Sequence, residues 1–182
     1  MTHIIGLSGS LRRHSYNGSL LRAAVEAMPE GATLEIGSIA EFPLYNGDVE
    51  AEGIPTAVAA LKDKVAAADG LLLVTPEYNN GIPGVFKNAI DWLSRPSSDI
   101  RRIFGGKPVA LIGASPGNFG TILSQAAWLP VLRTLGADHW AGGRLLVPHA
   151  GQAFDNEGNL TDEVVRERLG AYLAGFVTHI SG

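Results

Sequence analysis

Short apolar runs alternate with longer segments of helical period along this chain, and that alternation leaves few folds open. The first run, His3-Ile4-Ile5-Gly6-Leu7, closes on the Gly/Ser-rich stretch Ser8-Gly9-Ser10. Over 17–28 the spacing predicts a helix with Leu21, Ala24, Val25 and Met28 on one face, broken by Pro29-Glu30-Gly31. Residues 33–36 read as a second strand and 41–55 as irregular. A helix follows over 56–68, with Val58, Leu61, Val65 and Ala68 in register. The run Gly70-Leu71-Leu72-Leu73-Val74-Thr75 is apolar on both faces, the signature of a central parallel strand. A helix carrying Val85, Phe86, Ala89, Ile90 and Leu93 comes next, then a strand over 108–113 and a helix ending near Leu135. The fifth strand is expected within 140–147 and the last helix over 161–180, with Val165, Leu169, Tyr172, Phe176 and Ile180 facing inward.

Roughly five βα units in 182 residues, without repeat or linker, imply one domain over 1–182. Its sheet is parallel, with helices on both faces. Ligands of such sheets bind beyond the carboxyl ends of the strands. The loops richest in glycine, asparagine and serine follow strands one, three and four, so all three should open onto one edge.

Composition narrows the chemistry. The chain has no cysteine, which removes disulfides, thiol catalysis, iron–sulfur ligation and cysteine–zinc sites together. Redox chemistry would therefore need a bound organic cofactor. A net charge of −4 argues against a general nucleic-acid or anionic-membrane binder. No apolar run reaches membrane-spanning length, and the start of the chain lacks a secretory pattern, so a cytoplasmic protein is expected. His3, His14, His139, His149 and His179 are scattered without metal-ligand spacing.

The first loop offers hydroxyls (Ser8, Ser10, Ser15), the cation Arg12, and Tyr16 and Asn17 entering a helix. It matches neither a P-loop nor a classical dinucleotide fingerprint. Unpaired N–H groups and the helix dipole there favour an anion, and a phosphomonoester suits them. The same residues also suit a plain helix cap by Ser15 or Asn17, and His14 reads as a solvated loop residue. The second loop, Thr75-Pro76-Glu77-Tyr78-Asn79-Asn80-Gly81-Ile82-Pro83-Gly84, is stiffened by prolines and shaped by glycines. Its backbone groups suit the polar edge of a planar heterocycle, and Tyr78 offers a flat surface. Lys87, Asp91 and Trp92 read instead as helix and core. The third loop, Ser115-Pro116-Gly117-Asn118-Phe119-Gly120, allows a ring to sit against the backbone.

Together these segments resemble the NADPH-dependent FMN reductase family, which includes bacterial chromate, quinone and azo-dye reductases. The resemblance rests on Gly9-Ser10-Leu11-Arg12 with Ser15 and Asn17, on Pro76-Glu77-Tyr78-Asn79 with the run from Pro83 to Trp92, and on Ser115-Pro116-Gly117. Phe42-Pro43-Leu44-Tyr45-Asn46 is similar to the family's variable second-loop segment. It implies a flavodoxin-like three-layer α/β/α sandwich with a five-stranded parallel sheet in the order 2-1-3-4-5. It implies noncovalent FMN, NADPH or NADH as co-substrate, a small-molecule acceptor and a homodimer, with a tetramer also known in the family. By position, Ser10, Arg12, Ser15, Tyr16 and Asn17 would hold the phosphate. Pro76, Glu77, Tyr78, Asn79 and Asn80 would border the isoalloxazine, with Ser115 and Gly117 at its remaining edge. Asn80 stands where many relatives carry a bulkier residue. Arg95 reads as a surface or interface arginine. The competing reading is a flavodoxin-like electron carrier without NAD(P)H oxidation of its own. The two arginines of the first loop and the modest net charge weigh against it.

Overall fold

A computed structural model describes residues 1–182. The chain runs β1 (Thr2–Ser8), α1 (Tyr16–Glu26), β2 (Ala32–Gly37), α2 (Gly47–Glu52), α3 (Thr56–Ala67), β3 (Gly70–Val74) and α4 (Gly84–Leu93). A 3-10 turn (Ser97–Asp99) and α5 (Ile100–Ile103) lead to β4 (Pro108–Ala114), α6 (Ile122–Leu135), β5 (Asp138–His139), β6 (Leu145–Val147), α7 (Ala150–Ala153) and α8 (Glu163–Ser181). All strand pairs are parallel, in the order β2-β1-β3-β4-β5, with β6 also on β4.

Burial explains the layering. Every residue of β3 is buried, as a central strand covered on both faces requires. One apolar cluster joins α1 and α8 to the sheet through Leu20, Leu21, Leu72, Leu169 and Phe176. A second joins α3, α4 and α6 to the opposite face through Val65, Phe86, Ile90, Trp128 and Leu132. The expected inner faces hold for α3 and for most of α8, where Val165, Leu169, Tyr172 and Phe176 are buried and Ile180 partly so. On α1 the face is rotated: Leu20, Leu21, Ala23 and Ala24 are buried, while Val25 is exposed.

Two expectations need correction. The stretch 41–55, read as irregular, contains α2, whose Asn46 side chain caps the N–H of Asp48. The fifth strand is not continuous over 140–147. Val109 pairs with His139 and Ile112 with Leu145, so the two residues between them on β4 face five on the partner. The extra residues bulge out around Trp140, which packs on Tyr172 at 4.7 Å between ring centroids. In the gap the Tyr172 hydroxyl donates to the Leu111 carbonyl at 2.8 Å and accepts from the Leu111 N–H at 3.1 Å. A side chain from α8 thus replaces the missing strand neighbour, and burial raises the Tyr172 phenol well above its ordinary pKa.

Candidate functional site

The loops after β1, β3 and β4 meet at the carboxyl edge of the sheet, as the strand order requires. They enclose an open cleft of about 370 Å3. Its wall contains Ser10, Arg12, Ser15, Tyr16, Asn17, Pro76, Glu77, Tyr78 and Ser115. Asn79, Asn80 and Gly117 belong to the same loops but lie outside this wall.

Close packing brings the loops together. A Cβ on Gly9 would stand 2.2 Å from the Phe86 ring and 2.9 Å from Pro76, so only glycine lets the first loop approach α4. At Gly113 a Cβ would come within 2.3 Å of the Thr75 carbonyl. Beneath them Trp128 Nε1 donates to the Thr75 hydroxyl at 3.1 Å, and that hydroxyl lies 2.8 Å from Ser124 Oγ.

In the first loop Ser15 is a helix cap, its hydroxyl accepting from the N–H groups of Asn17 at 3.2 Å and Gly18 at 3.4 Å. Asn17 is buried and its amide is fully committed: Nδ2 donates to the Ala114 carbonyl at 2.8 Å, and Oδ1 accepts from the Ala114 N–H at 2.9 Å. It ties the start of α1 to the end of β4, ninety-seven residues away. The Ser10 hydroxyl accepts from the Arg12 N–H, which curls the loop. The N–H groups of Leu11, Arg13, His14, Ser15 and Tyr16 have no acceptor within the protein. The Arg12 guanidinium lies 5.4 Å from the centroid of Tyr16 and pairs with no carboxylate. A curved run of donors beside a fixed cation is the donor set a phosphate monoester needs.

The second loop is a miniature hairpin. Tyr78 and Gly81 exchange two backbone hydrogen bonds, at 3.2 and 3.1 Å, around Asn79 and Asn80 with φ of 50° and 63°. Positive φ at both central residues defines a type I′ turn, and asparagine tolerates that region better than bulky residues do. The Glu77 carboxylate is spoken for, since Oε2 accepts from the N–H groups of Leu123 at 2.8 Å and Ser124 at 3.0 Å. It caps α6, where an anion is favoured by the helix dipole. The N–H groups of Glu77, Asn79 and Asn80 have no protein acceptor.

In the third loop the Ser115 hydroxyl donates to the Gly120 carbonyl, and the Gly117 carbonyl accepts from His149 at 3.1 Å. The Gly117 N–H has no acceptor in the protein. His149 itself adopts a φ of 49°. Sequence reading did not single it out, and no spacing signal marks it.

The segment Phe42–Asn46 docks on α4. Asn88 Nδ2 and Trp92 Nε1 both donate to the Pro43 carbonyl, at 2.9 and 2.8 Å, and the Tyr45 N–H donates to Asn88 Oδ1 at 2.8 Å. Trp92 is fully buried, as its core reading requires, and Lys87 pairs with Asp91 one turn on. Arg95 lies half-buried over the Tyr45 ring at 5.5 Å.

A flavodoxin-like parallel sheet whose loops after β1, β3 and β4 meet in one cleft at its carboxyl edge defines a ligand-binding doubly wound α/β protein. The comparisons narrow this further. Residues 2–152 match the family described as NADPH-dependent FMN reductase. The chain is 43% identical to an NAD(P)H-dependent FMN reductase of Pseudomonas aeruginosa over 166 residues, covering 91% of this chain and 88% of that one. It is 38% identical to a 2-hydroxy-1,4-benzoquinone reductase of a Burkholderia species, with the same coverage of 91% and 88%. The solved structure of FerB, a flavoenzyme NAD(P)H:(acceptor) oxidoreductase from Paracoccus denitrificans, superposes with a TM-score of 0.89. That similarity comes at 32% identity and covers 100% of this chain and 98% of that one. The chain belongs to the NADPH-dependent FMN reductase family. It is an oxidoreductase that uses NAD(P)H and FMN. No helix is long and apolar enough to cross a membrane.

Proposed function

We propose that residues 1–182 act as a single domain in which Ser10, Arg12, Ser15, Tyr16 and Asn17 build the FMN phosphate cradle. Pro76, Glu77, Tyr78, Asn79 and Asn80 border one side of the isoalloxazine, and Ser115 and Gly117 the other. The observation that carries this reading is the convergence of the three loops on one cleft, where the N–H groups of Ser15, Tyr16 and Glu77 lack protein acceptors. When bound, FMN supplies a centre that takes a hydride from the nicotinamide and hands two electrons to an acceptor.

The protein's own groups bind and position. The N–H groups of Leu11 and of 13–16 receive the phosphate, and Arg12 neutralises part of its charge. Ser15 and Asn17 act at one remove, by fixing the helix start and the distance between the first and third loops. The free N–H groups of Glu77, Asn79 and Gly117 favour negative charge at the ring edge. The Glu77 carboxylate, held by α6, does not serve as a proton donor. Hydride transfer needs no acid–base pair from the protein.

The acceptor is a quinone, the class for which the Burkholderia relative is named. Free flavins, azo dyes and chromate are further acceptors such an open cleft admits. The chain works as a homodimer, with a dimer of dimers as the alternative assembly. Phe119 in the third loop and Leu123 in the first turn of α6 stand exposed, an apolar surface suited to a second copy. A cytoplasmic location follows from the NAD(P)H it consumes.

The test is the visible spectrum of the purified protein with FMN, followed anaerobically by NADH and then NADPH. A bound-flavin band bleached by either nucleotide is expected, with reoxidation by a benzoquinone. Bound flavin that neither nucleotide bleaches would move the reading to an electron carrier, and no flavin binding would sink it.

A further inference from the structure

Arg12 and Tyr16 face two cavities. Beyond the flavin cleft they also line a second one of about 550 Å3, between the first turns of α1 and the loop joining α7 to α8. Arg22 and Ser19 stand on its α1 side, with Arg22 Nη2 donating to Ser19 Oγ at 2.9 Å. Neither Arg12 nor Arg22 has a carboxylate within ion-pair distance. The Tyr16 and Phe154 rings stack at 6.0 Å and give the cavity an aromatic wall.

Two carboxylates oppose the arginines, and they differ. The Asp155 carboxylate is consumed by its own loop, accepting from the N–H groups of Glu157 at 2.9 Å and Asn159 at 2.8 Å and from Asn159 Nδ2 at 2.9 Å. Those donors, led by the Asn159 side chain, hold it below the usual carboxylate range. Glu157 lines the cavity and makes no ion pair; its carboxylate accepts only a long bond from Asn159 Nδ2, at 3.4 Å to Oε2. A cavity with two unpaired guanidiniums, a carboxylate acceptor and an aromatic wall suits a ligand that carries diester-like phosphate, ribose hydroxyls and a flat base together. An isolated phosphate matches only the first of these.

We propose that this cavity holds the adenosine diphosphate half of the nicotinamide dinucleotide. Arg12 and Arg22 take the pyrophosphate, Glu157 accepts from a ribose hydroxyl, and the base lies against Tyr16. Shared walls at Arg12 and Tyr16 let one ligand span both cavities, with the nicotinamide in the flavin cleft. The proposal rests on the cleft being the FMN site. Arg12 serves both anions, so Arg22 is the residue that separates them.

The experiment uses FMN-loaded protein and Arg22→Ala. Calorimetry with ADP, which has no nicotinamide, reads the cavity alone. Reduction by NADH is compared with reduction by N-benzyl-1,4-dihydronicotinamide, a hydride donor without phosphate. Losing one exposed charge-assisted contact is expected to weaken ADP about tenfold and to raise the KM for NADH by a similar factor. The bimolecular rate with the truncated donor is expected to move by less than about twofold. Arg22→Lys should recover part of the loss, since it restores the charge without the fork. The proposal is overturned if ADP does not bind the wild type, if the KM for NADH is unmoved, or if both donors slow alike. If neither donor reduces the wild-type protein, the flavin reading fails instead, and the ADP titration still decides the cavity.

Discussion

Asn17→Ala separates positioning from phosphate contact. Asn17 makes no hydrogen bond outside Ala114 with its side chain, yet that amide satisfies both backbone groups of a residue only 2% exposed. Truncation leaves one buried N–H and one buried C=O without partners. Each such group costs about 1–3 kcal/mol, and a water entering the vacated space would recover part of this, so about 2–4 kcal/mol is expected. For a domain of this size that corresponds to a fall in Tm of roughly 5–15 °C. The assay is urea unfolding of the flavin-free protein, with affinities for FMN and riboflavin measured beside it. Both flavins should weaken by the same factor, because the first and third loops lose their spacing while the phosphate loses no direct contact. Asn17→Asp keeps the bond from the Ala114 N–H, sets a carboxylate against the Ala114 carbonyl, and should destabilise at least as much. A loss below about 0.5 kcal/mol for Asn17→Ala, within the range of ordinary surface substitutions, would refute the cross-link argument. So would a selective loss of FMN over riboflavin.

Arg12→Ala should show the opposite pattern, weakening FMN about tenfold and riboflavin hardly at all, as titration by flavin fluorescence would read. Tyr172→Phe should destabilise by about 2–4 kcal/mol in chemical unfolding, since both Leu111 backbone groups in the strand gap lose their partner. Asp99 lies 2.7 Å from the buried Lys62 ammonium and also contacts Arg102; the Lys62 hydrogen bond, the largest cause, depresses its carboxyl pKa. A depressed folded pKa contributes stability above the unfolded value of about 3.9, and that stability is lost as pH falls through the lower folded value. Asp99→Asn should therefore cost most at neutral pH, with the gap to wild type closing below about pH 4 in unfolding measurements.

The βα alternation, the all-apolar β3 and the three special loops were legible from residue order, because period and loop chemistry are local properties. They suffice for a parallel sheet and for the edge on which the loops open, whereas the strand order β2-β1-β3-β4-β5 is what the family resemblance implied. Ser10, Arg12, Ser15, Tyr16, Asn17, Pro76, Glu77, Tyr78 and Ser115 meet in one cleft wall, while Asn79, Asn80 and Gly117 stay outside it. What residue type left open was which atoms remain free. Ser15 and Asn17 suit a phosphate or a helix cap by type, and Glu77 a ring edge, and in the fold each is spent on protein backbone.

The sequence by itself determined a parallel α/β sheet with a phosphate-suited loop after its first strand, since short-range patterning controls which segments become strands, helices and turns. Only the tertiary structure decided that the fifth strand splits around Trp140, that Tyr172 fills the gap, and that Asn17 and Ala114 join across ninety-seven residues. Those outcomes depend on which buried N–H and C=O groups lack a neighbour once the layers pack. That demand arises between segments far apart in the chain, and no local pattern records it.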